Sequence, residues 1–385
     1  MPGIHKRSLC GEKVVLTMKD GGSFVHFFLG SNTPQGFVSR FDQLGTPLDG
    51  WHKFVIKGGP GTGKSSLMKK VAQALQEAGD PLVEQIHCSS DPDSLDGVIS
   101  NKFKISIADG TPPHVIEPKY PGAFESVVNL TDCWDEDRLQ RDRREIVDLC
   151  AKNSACHDRC CRFLTAASSL IYDTYRIAVE CTDPEKIARY ARRLAAKEFR
   201  ATDVDHGTEA VRFLSTITPQ GLITYTDSVK TMCDRIYLID DEWGAASRLL
   251  LHALRSSALS AKLDIISCYC PLSPYEKLEH LMIPTIGMAF ITTNRYTNVE
   301  LEPYRRIHAK RFTDMTKLKI RKQRISFNRK AAREMLDEAI RLLVEAKNIH
   351  DDIERYYISS MDYAKVNTKV EETLSKIKSI TEKGG

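Results

Sequence analysis

The chain has 385 residues, room for two or three domains at roughly 150 residues each, which excludes a mini-protein held together by disulfides. Charged residues are 28% and hydrophobic residues 42%, with an unremarkable net charge of +4, so the chain is neither disordered nor fibrous. No apolar run is long enough to cross a membrane, the start MPGIHKRSLCGEKVV lacks the apolar core of a secretory signal, and the eleven cysteines are scattered and odd in number; a cytoplasmic protein with reduced thiols is expected.

The first distinctive segment, Phe28-Leu-Gly-Ser-Asn-Thr-Pro-Gln-Gly36, recurs as Phe213-Leu-Ser-Thr-Ile-Thr-Pro-Gln-Gly221 at an offset of 185. Residues 52–67 align without gaps on 235–250, and 103–111 on 286–294, both at an offset of 183. Three matched segments in one order indicate an internal duplication. The expected fold is α/β, with two P-loop NTPase-like parallel-sheet modules in tandem, each followed by a helical, coiled-coil-like arm. The boundaries fall at 1–134 for the first module, 135–206 for its arm, 207–316 for a degenerate second module, and 317–385 for a basic segment and C-terminal arm.

Residues 54–57 (FVIK) suit a buried strand, and 65–75 have helical spacing with Leu67, Val71 and Leu75 on one side. Between them, Gly58-Gly59-Pro60-Gly61-Thr62-Gly63-Lys64-Ser65 fits GxxxxGK[ST] in its strand-loop-helix setting. Glycines 58, 61 and 63 let the backbone curl around a phosphate with its amides inward, at a helix N-terminus that favours negative charge. The stretch from Gly58 to Ser66 is thus the candidate ATP site, with Lys64 reaching the β- and γ-phosphates and Ser65 ligating Mg²⁺. Asp109, ending the β-prone run 103–108 beyond the strand 82–88, is the candidate second Mg²⁺ anchor. A turn role for Asp109-Gly110 stays open. No glutamate follows Asp109, so a catalytic base must come from elsewhere: His114, Glu117, or Asp91 and Asp93 in the acidic loop 90–96, which otherwise cap the next helix.

From Leu149 the apolar and small positions step by three and four through Cys156, Cys160, Ala167 and Ile177, and from Ala332 through Ala339, Leu342, Ala346 and Ile353. These heptad-like seams predict antiparallel helical arms, with turns at Asp183-Pro184 and near 361–367. Cys156, Cys160 and Cys161 invite a metal reading, but the first two lie on the seam and read as core. In the second copy the gapless alignment sets Asp241 against Gly58, Ala246 against Gly63, Ser247 against Lys64, Arg248 against Ser65 and Thr292 against Asp109. The acids Asp240, Asp241 and Glu242 would repel a triphosphate, so no ATP is expected there. TPQG outlives that loss and reads as a turn device. Between Arg305 and Arg333 stand twelve basic residues and one acid, a segment suited to a polyanion such as nucleic acid, to an unknown macromolecular partner, or to the acidic stretch 125–137 of the first copy. Arg295, Arg305 or Arg306 could serve as an arginine finger.

The segments FLGSNTPQGF, IKGGPGTGKSSLMKK, HCSSDPDSLDG and ADGTPPHVIEP together resemble a family of bacterial tandem P-loop proteins, generically called ATPases, ATP-binding proteins or nucleotide kinases. The resemblance spans nearly the whole chain and implies ATP binding at residues 58–65. The expected function is Mg²⁺-dependent ATP hydrolysis at one site, with the second copy as scaffold or regulator. A nucleotide or small-molecule kinase and an ATP-gated binding module without turnover are the alternatives.

Overall fold

The computed structural model describes residues 22–200 and 206–383; the start of the chain, read above for a signal segment, lies outside them. The first module contains β1 (Ser23–Phe27), the hairpin strands β2 (Gly30–Thr33) and β3 (Gly36–Ser39), β4 (His52–Lys57), α1 (Lys64–Glu77), β5 (Leu82–His87), β6 (Leu95–Ser100), β7 (Ile105–Asp109) and β8 (Glu125–Asn129). Helices α2 (Glu136–Arg141), α3 (Arg143–Val179) and α4 (Pro184–Glu198) follow. The second module repeats the plan with β9 (Glu209–Arg212), β10 (Ser215–Thr218), β11 (Gly221–Thr224), α5 (Thr226–Met232), β12 (Arg235–Asp240), α6 (Ala245–Ser260), β13 (Ile265–Cys270), β14 (Ser273–Ile283), β15 (Met288–Thr293) and β16 (Arg305–His308). It too ends in helices, α7 (Met315–Ile320), α8 (Lys322–Ser360) and α9 (Tyr363–Lys383).

The sheets run β1-β5-β6-β7-β4-β8 and β9-β13-β14-β15-β12-β16, the same order strand for strand. They are mainly parallel, but β6 and β14 run antiparallel to both neighbours. This corrects the all-parallel expectation and the helix expected after the acidic loop: residues 95–100 form a strand whose six residues are all buried. Alternate side chains of each sheet enter different cores, as a sheet covered on both faces requires. Val25, Phe27, Ile86 and Ile99 share one core with Leu238, Cys268, Met282 and Ile291 of the second module. The opposite faces are covered by helices.

Those covering helices are exchanged between the copies. Helix α4, whose Asp183 N-cap accepts from Lys186 N–H and whose Pro184 occupies the first turn, leaves the first copy and packs Ile187, Ala191 and Leu194 on Leu250, Leu254 and Tyr237 of the second. Reciprocally, α9 buries Val366, Val370 and Ile377 against Leu67, Met68 and Val71 of α1. The long helices likewise pair across copies: α3 lies along α8, with Cys160, Leu164 and Ala167 packed on Leu336, Ala339 and Leu343. Their direction is antiparallel, since Asp173 near the end of α3 meets Arg324 and Asn328 near the start of α8. The antiparallel pairing holds, but each arm finds its partner in the other copy rather than folding back on itself. Cys156 and Cys160 are buried in this seam as core residues. Among the described residues no helix is long and apolar enough to cross a membrane.

The modules meet through their equivalent hairpins. Phe28 and Phe213 exchange backbone hydrogen bonds, 2.9 Å each way, and Ser31 Oγ lies 2.5 Å from Thr216 Oγ1. TPQG closes both hairpins identically: Gln35 N–H donates to Thr33 Oγ1, which donates to Gly36 O, and Gln220, Thr218 and Gly221 do the same. Gly36 and Gly221 have φ of +94° and +102°, a turn geometry that favours glycine.

Beside this junction His87 Nδ1 lies 2.7 Å from Pro92 O, so Nδ1 carries the proton, and Nε2 then accepts from His26 Nδ1–H at 2.9 Å. Burial lowers His87 to about 4 and also lowers His26. Because the folded state holds this proton more weakly than the unfolded chain, stability should be full above about pH 6.5 and decline as pH falls towards 4. Thermal unfolding followed against pH checks this, and His87→Asn should flatten the acid limb.

Candidate functional site

Strand β4 delivers the chain into loop 58–63, and the turn into α1 is made by Gly63, whose φ of +88° suits glycine. Lys64 folds back over the loop: Nζ donates to Gly58 O (2.8 Å), Gly59 O (2.9 Å) and Thr111 Oγ1 (3.2 Å). Asp109 ends β7 beside β4, with Ile56 opposite it in the ladder, and its Oδ2 lies 3.3 Å from Lys64 Nζ. Its Oδ1 accepts from Thr111 N–H (2.9 Å) and Thr111 Oγ1 (2.6 Å). One ammonium, one carboxylate and a ring of loop amides thus converge at the carboxyl ends of adjacent parallel strands, where open α/β sheets bind ligands.

The remaining sequence candidates divide. Ser65 Oγ accepts from Leu95 N–H at 3.0 Å, joining α1 to β6. Thr62 Oγ1 donates to Gly59 O, Pro60 is half-buried, and Ser66 is exposed. Asp91 binds Ser94 Oγ (2.8 Å) and lies 3.7 Å from Lys347 on α8. Asp93 is exposed and turned towards Gln220 of the second copy's hairpin, and Glu117 pairs with Lys57 at 2.7 Å. His114 is buried between the rings of Phe37 and Phe41. Burial works against its charge, but the Asp96 carboxylate outweighs that and raises it.

Two features escaped the sequence reading. Helix α8 covers the glycine-rich loop: Gly61 N–H donates to Glu354 Oε1 at 3.1 Å, and a Cβ on Gly59 would stand 2.6 Å from the Tyr357 ring. The hydrogen bond from His350 holds Glu354 below the usual carboxylate range. Nothing local to residues 58–65 signals an acid about 290 residues away. The second feature is a group formed by Cys88, Asp96 and His114, whose ligating atoms lie within 4.8 Å of one another.

The second copy departs from the gapless alignment. Gly244, with φ of +72°, occupies the helix N-cap held by Gly63 in the first copy, so Lys64 corresponds to Ala245 and Ser65 to Ala246, not to Ser247 and Arg248. The turn 241–244 is two residues shorter than loop 58–63, and the two residues reappear in the helix, 16 residues in α6 against 14 in α1. Asp241 fills the shortened turn. Its carboxylate accepts from Trp243 N–H (3.2 Å), Gly244 N–H (3.1 Å) and Ser247 N–H (2.7 Å), taking helix N-terminal amides that would otherwise face an anion. Beside it lies a cavity of about 740 Å³ lined by Tyr175, Trp243, Arg248 and Tyr296 among others.

The basic segment also pairs differently from expectation. Arg306 and His308 hold Asp240 at 2.7 and 2.8 Å, Arg329 and Arg295 hold Glu242, and Arg324 holds Asp173. These partners belong to the second copy's turn and to α3, not to the stretch 125–137. Of the arginines considered as fingers, Arg295 and Arg306 are committed to these acids, and Arg305 packs over Tyr304.

Asp241→Ala should leave three amides at the start of α6 without their acceptor and destabilise the fold by about 2 kcal/mol. Urea unfolding measures this, and an unchanged midpoint would show that the carboxylate does not hold the turn. No protein-family model, curated protein or solved structure matches the chain.

Proposed function

We propose that the chain binds and hydrolyses ATP with Mg²⁺ at a single site, loop 58–65 of the first copy, and that the second copy is a scaffold for it. The observation that carries the reading is the convergence of Lys64, Asp109 and the loop amides at the ends of β4 and β7, with Lys64 Nζ 3.3 Å from Asp109 Oδ2. On this reading Lys64 exchanges its loop carbonyls for phosphate oxygens, and the amides from Gly59 to Ser65 take the remaining phosphate charge. Ser65 and Asp109 are the residues that would hold Mg²⁺, which supplies neutralisation of phosphate charge. The hydroxyl of Ser65 fits because accepting from Leu95 N–H leaves it a second lone pair. Asp109 fits because its Oδ2 faces only Lys64.

Since no glutamate follows Asp109, the same site suits transfer to an acceptor hydroxyl, and that is the second reading. Calorimetry should give about one ATP per chain, abolished by Lys64→Ala. Incubation with ATP, scored for free phosphate against phosphorylated acceptor, separates hydrolase from kinase. Phosphate release unaffected by Lys64→Ala would sink both readings.

Glu354 occupies an amide that a phosphate would need, so nucleotide entry requires α8 to yield there. Glu354→Gln should tighten ATP binding by about ten-fold, some 1.4 kcal/mol, by removing a competing charge. Equal affinities in calorimetry would show that Glu354 does not compete.

A further inference from the structure

Cys88 follows β5, Asp96 lies in β6, and His114 follows β7, so three neighbouring strand ends bring a thiol, a carboxylate and an imidazole together. Asp96 is there because of a bulge. In the β5–β6 ladder Ile86 stands opposite Gly97 and His87 opposite Leu95, leaving Asp96 as the extra residue, and a bulge re-aims the side chain it inserts. Asp96 and His114 are each only 5% exposed. His114 Nε2 lies 3.0 Å from Asp96 Oδ2, yet that oxygen has no aligned hydrogen-bond donor. Two buried groups this close without a hydrogen bond between them are arranged as donors converging on a third centre.

The second copy gives an independent reading of the same place. Its β13–β14 ladder carries the same bulge, with Cys268 opposite His280 and Tyr269 opposite Leu278, so Glu279 is the extra residue. Following the registers, Glu279 matches Asp96 and Cys270 matches Cys88. There the acid and the thiol share a cation from within the chain: Lys277 Nζ lies 2.8 Å from Glu279 Oε1 and 3.7 Å from Cys270 Sγ. A buried carboxylate needs such a counter-charge. The first copy has Ser94 where the second has Lys277 and offers a further ligand, His114, instead.

We propose that Cys88, Asp96 and His114 form a binding site for a zinc-class divalent metal ion. Sulfur, nitrogen and carboxylate oxygen are the donors such an ion takes, at about 2.0–2.3 Å, and three protein ligands leave a fourth position for water or an anion. Donor atoms within 4.8 Å of one another converge on that distance by side-chain rotation. Backbone amides of Ser90 and Asp91 facing the Cys88 sulfur favour the thiolate the metal requires, although burial and the Asp96 charge drive the free thiol well up. The site is separate from Ser65 and Asp109 and does not depend on the nucleotide reading.

The full-length chain, stripped with a chelator and kept free of nucleotide, is titrated with Co²⁺ and then with Zn²⁺. The expected result is a thiolate-to-cobalt absorption band with visible bands of a tetrahedral site, saturating at about one ion per chain and displaced by Zn²⁺. Cys88→Ser should remove the thiolate band and weaken Zn²⁺ binding by more than about ten-fold, while Cys270→Ser leaves both intact. Absence of the band in the unsubstituted chain, whose folding is not in question, overturns the proposal, as does a band that survives Cys88→Ser.

Discussion

Phe28 and Phe213 are equivalent residues of the two copies, and they hydrogen-bond to each other in both directions. A residue can meet its own equivalent reciprocally only on a twofold axis, and Ser31 against Thr216 repeats the relation three residues on. The chain is therefore built like an isologous dimer whose subunits are covalently joined. The rest of the architecture follows from that axis. Helices related by it run antiparallel, as α3 and α8 do, and a helix that crosses to the other copy is answered by its counterpart crossing back, as α4 and α9 do. The crossings share backbone contacts as well: Asp183 N–H donates to Phe312 O and Asp362 N–H to Cys133 O. Each sheet thus has one face covered by a helix encoded in the other half, and neither half buries its own core alone.

Symmetry of backbone has not kept symmetry of chemistry. Arg212 and Glu84 form an ion pair at 2.9 Å in the shared core, both at most 4% exposed, whereas the positions related by the axis, Phe27 and Ile266, are apolar members of the same core. A buried pair adds little net stability over apolar packing but penalises any arrangement that separates its charges, so it distinguishes the two copies where the fold alone would not. The strand ends diverge in the same spirit. What the first copy leaves available to a ligand, the second fills from its own side chains: Asp241 takes the turn amides, and Lys277 sits between Glu279 and Cys270. An anion and a cation supplied internally satisfy the polar groups that a duplicated site would otherwise bury unpaired.

Much of this was legible in the sequence because it depends on local pattern. The strand-loop-helix around residues 58–65, the repeated TPQG turn and the Asp183-Pro184 helix start are short-range signals. Strand β6 was not legible, because Asp96 and Gly97 break the apolar run that a buried strand usually shows, and the bulge that accommodates them is visible only in the ladder. The turn 241–244 was misread because two residues moved from loop to helix without changing the length between flanking strands, so a gapless alignment hid the shift. The helical seams gave the buried face of α3 and α8 but not its partner, since periodicity says which side is apolar and nothing about what covers it. Asp91 and Asp93 drew attention as acids near a glycine-rich loop; the acid that reaches the loop is Glu354, placed there by the twofold axis.

Helix α8 is the element through which the two halves constrain each other. It has 39 residues, a rod of about 58 Å. At its end Glu354, Tyr357 and Ile358 lie on the glycine-rich loop of the first copy. At its start Arg324 and Asn328 grip Asp173 of α3, and Arg329 reaches Glu242 of the second copy's turn. Between these ends Ala339, Leu342 and Leu343 are packed into the seam with α3, where small residues leave no slack for independent bending. On the nucleotide reading, phosphate and Glu354 cannot both accept from Gly61 N–H. The loop is then a point at which ligand binding has different contacts in two positions of α8, the requirement for a ligand to shift a conformational equilibrium. The far end of the same rod is held by exposed and half-buried ion pairs rather than by the core, so the second copy's filled turn is where a displaced α8 would meet the least resistance.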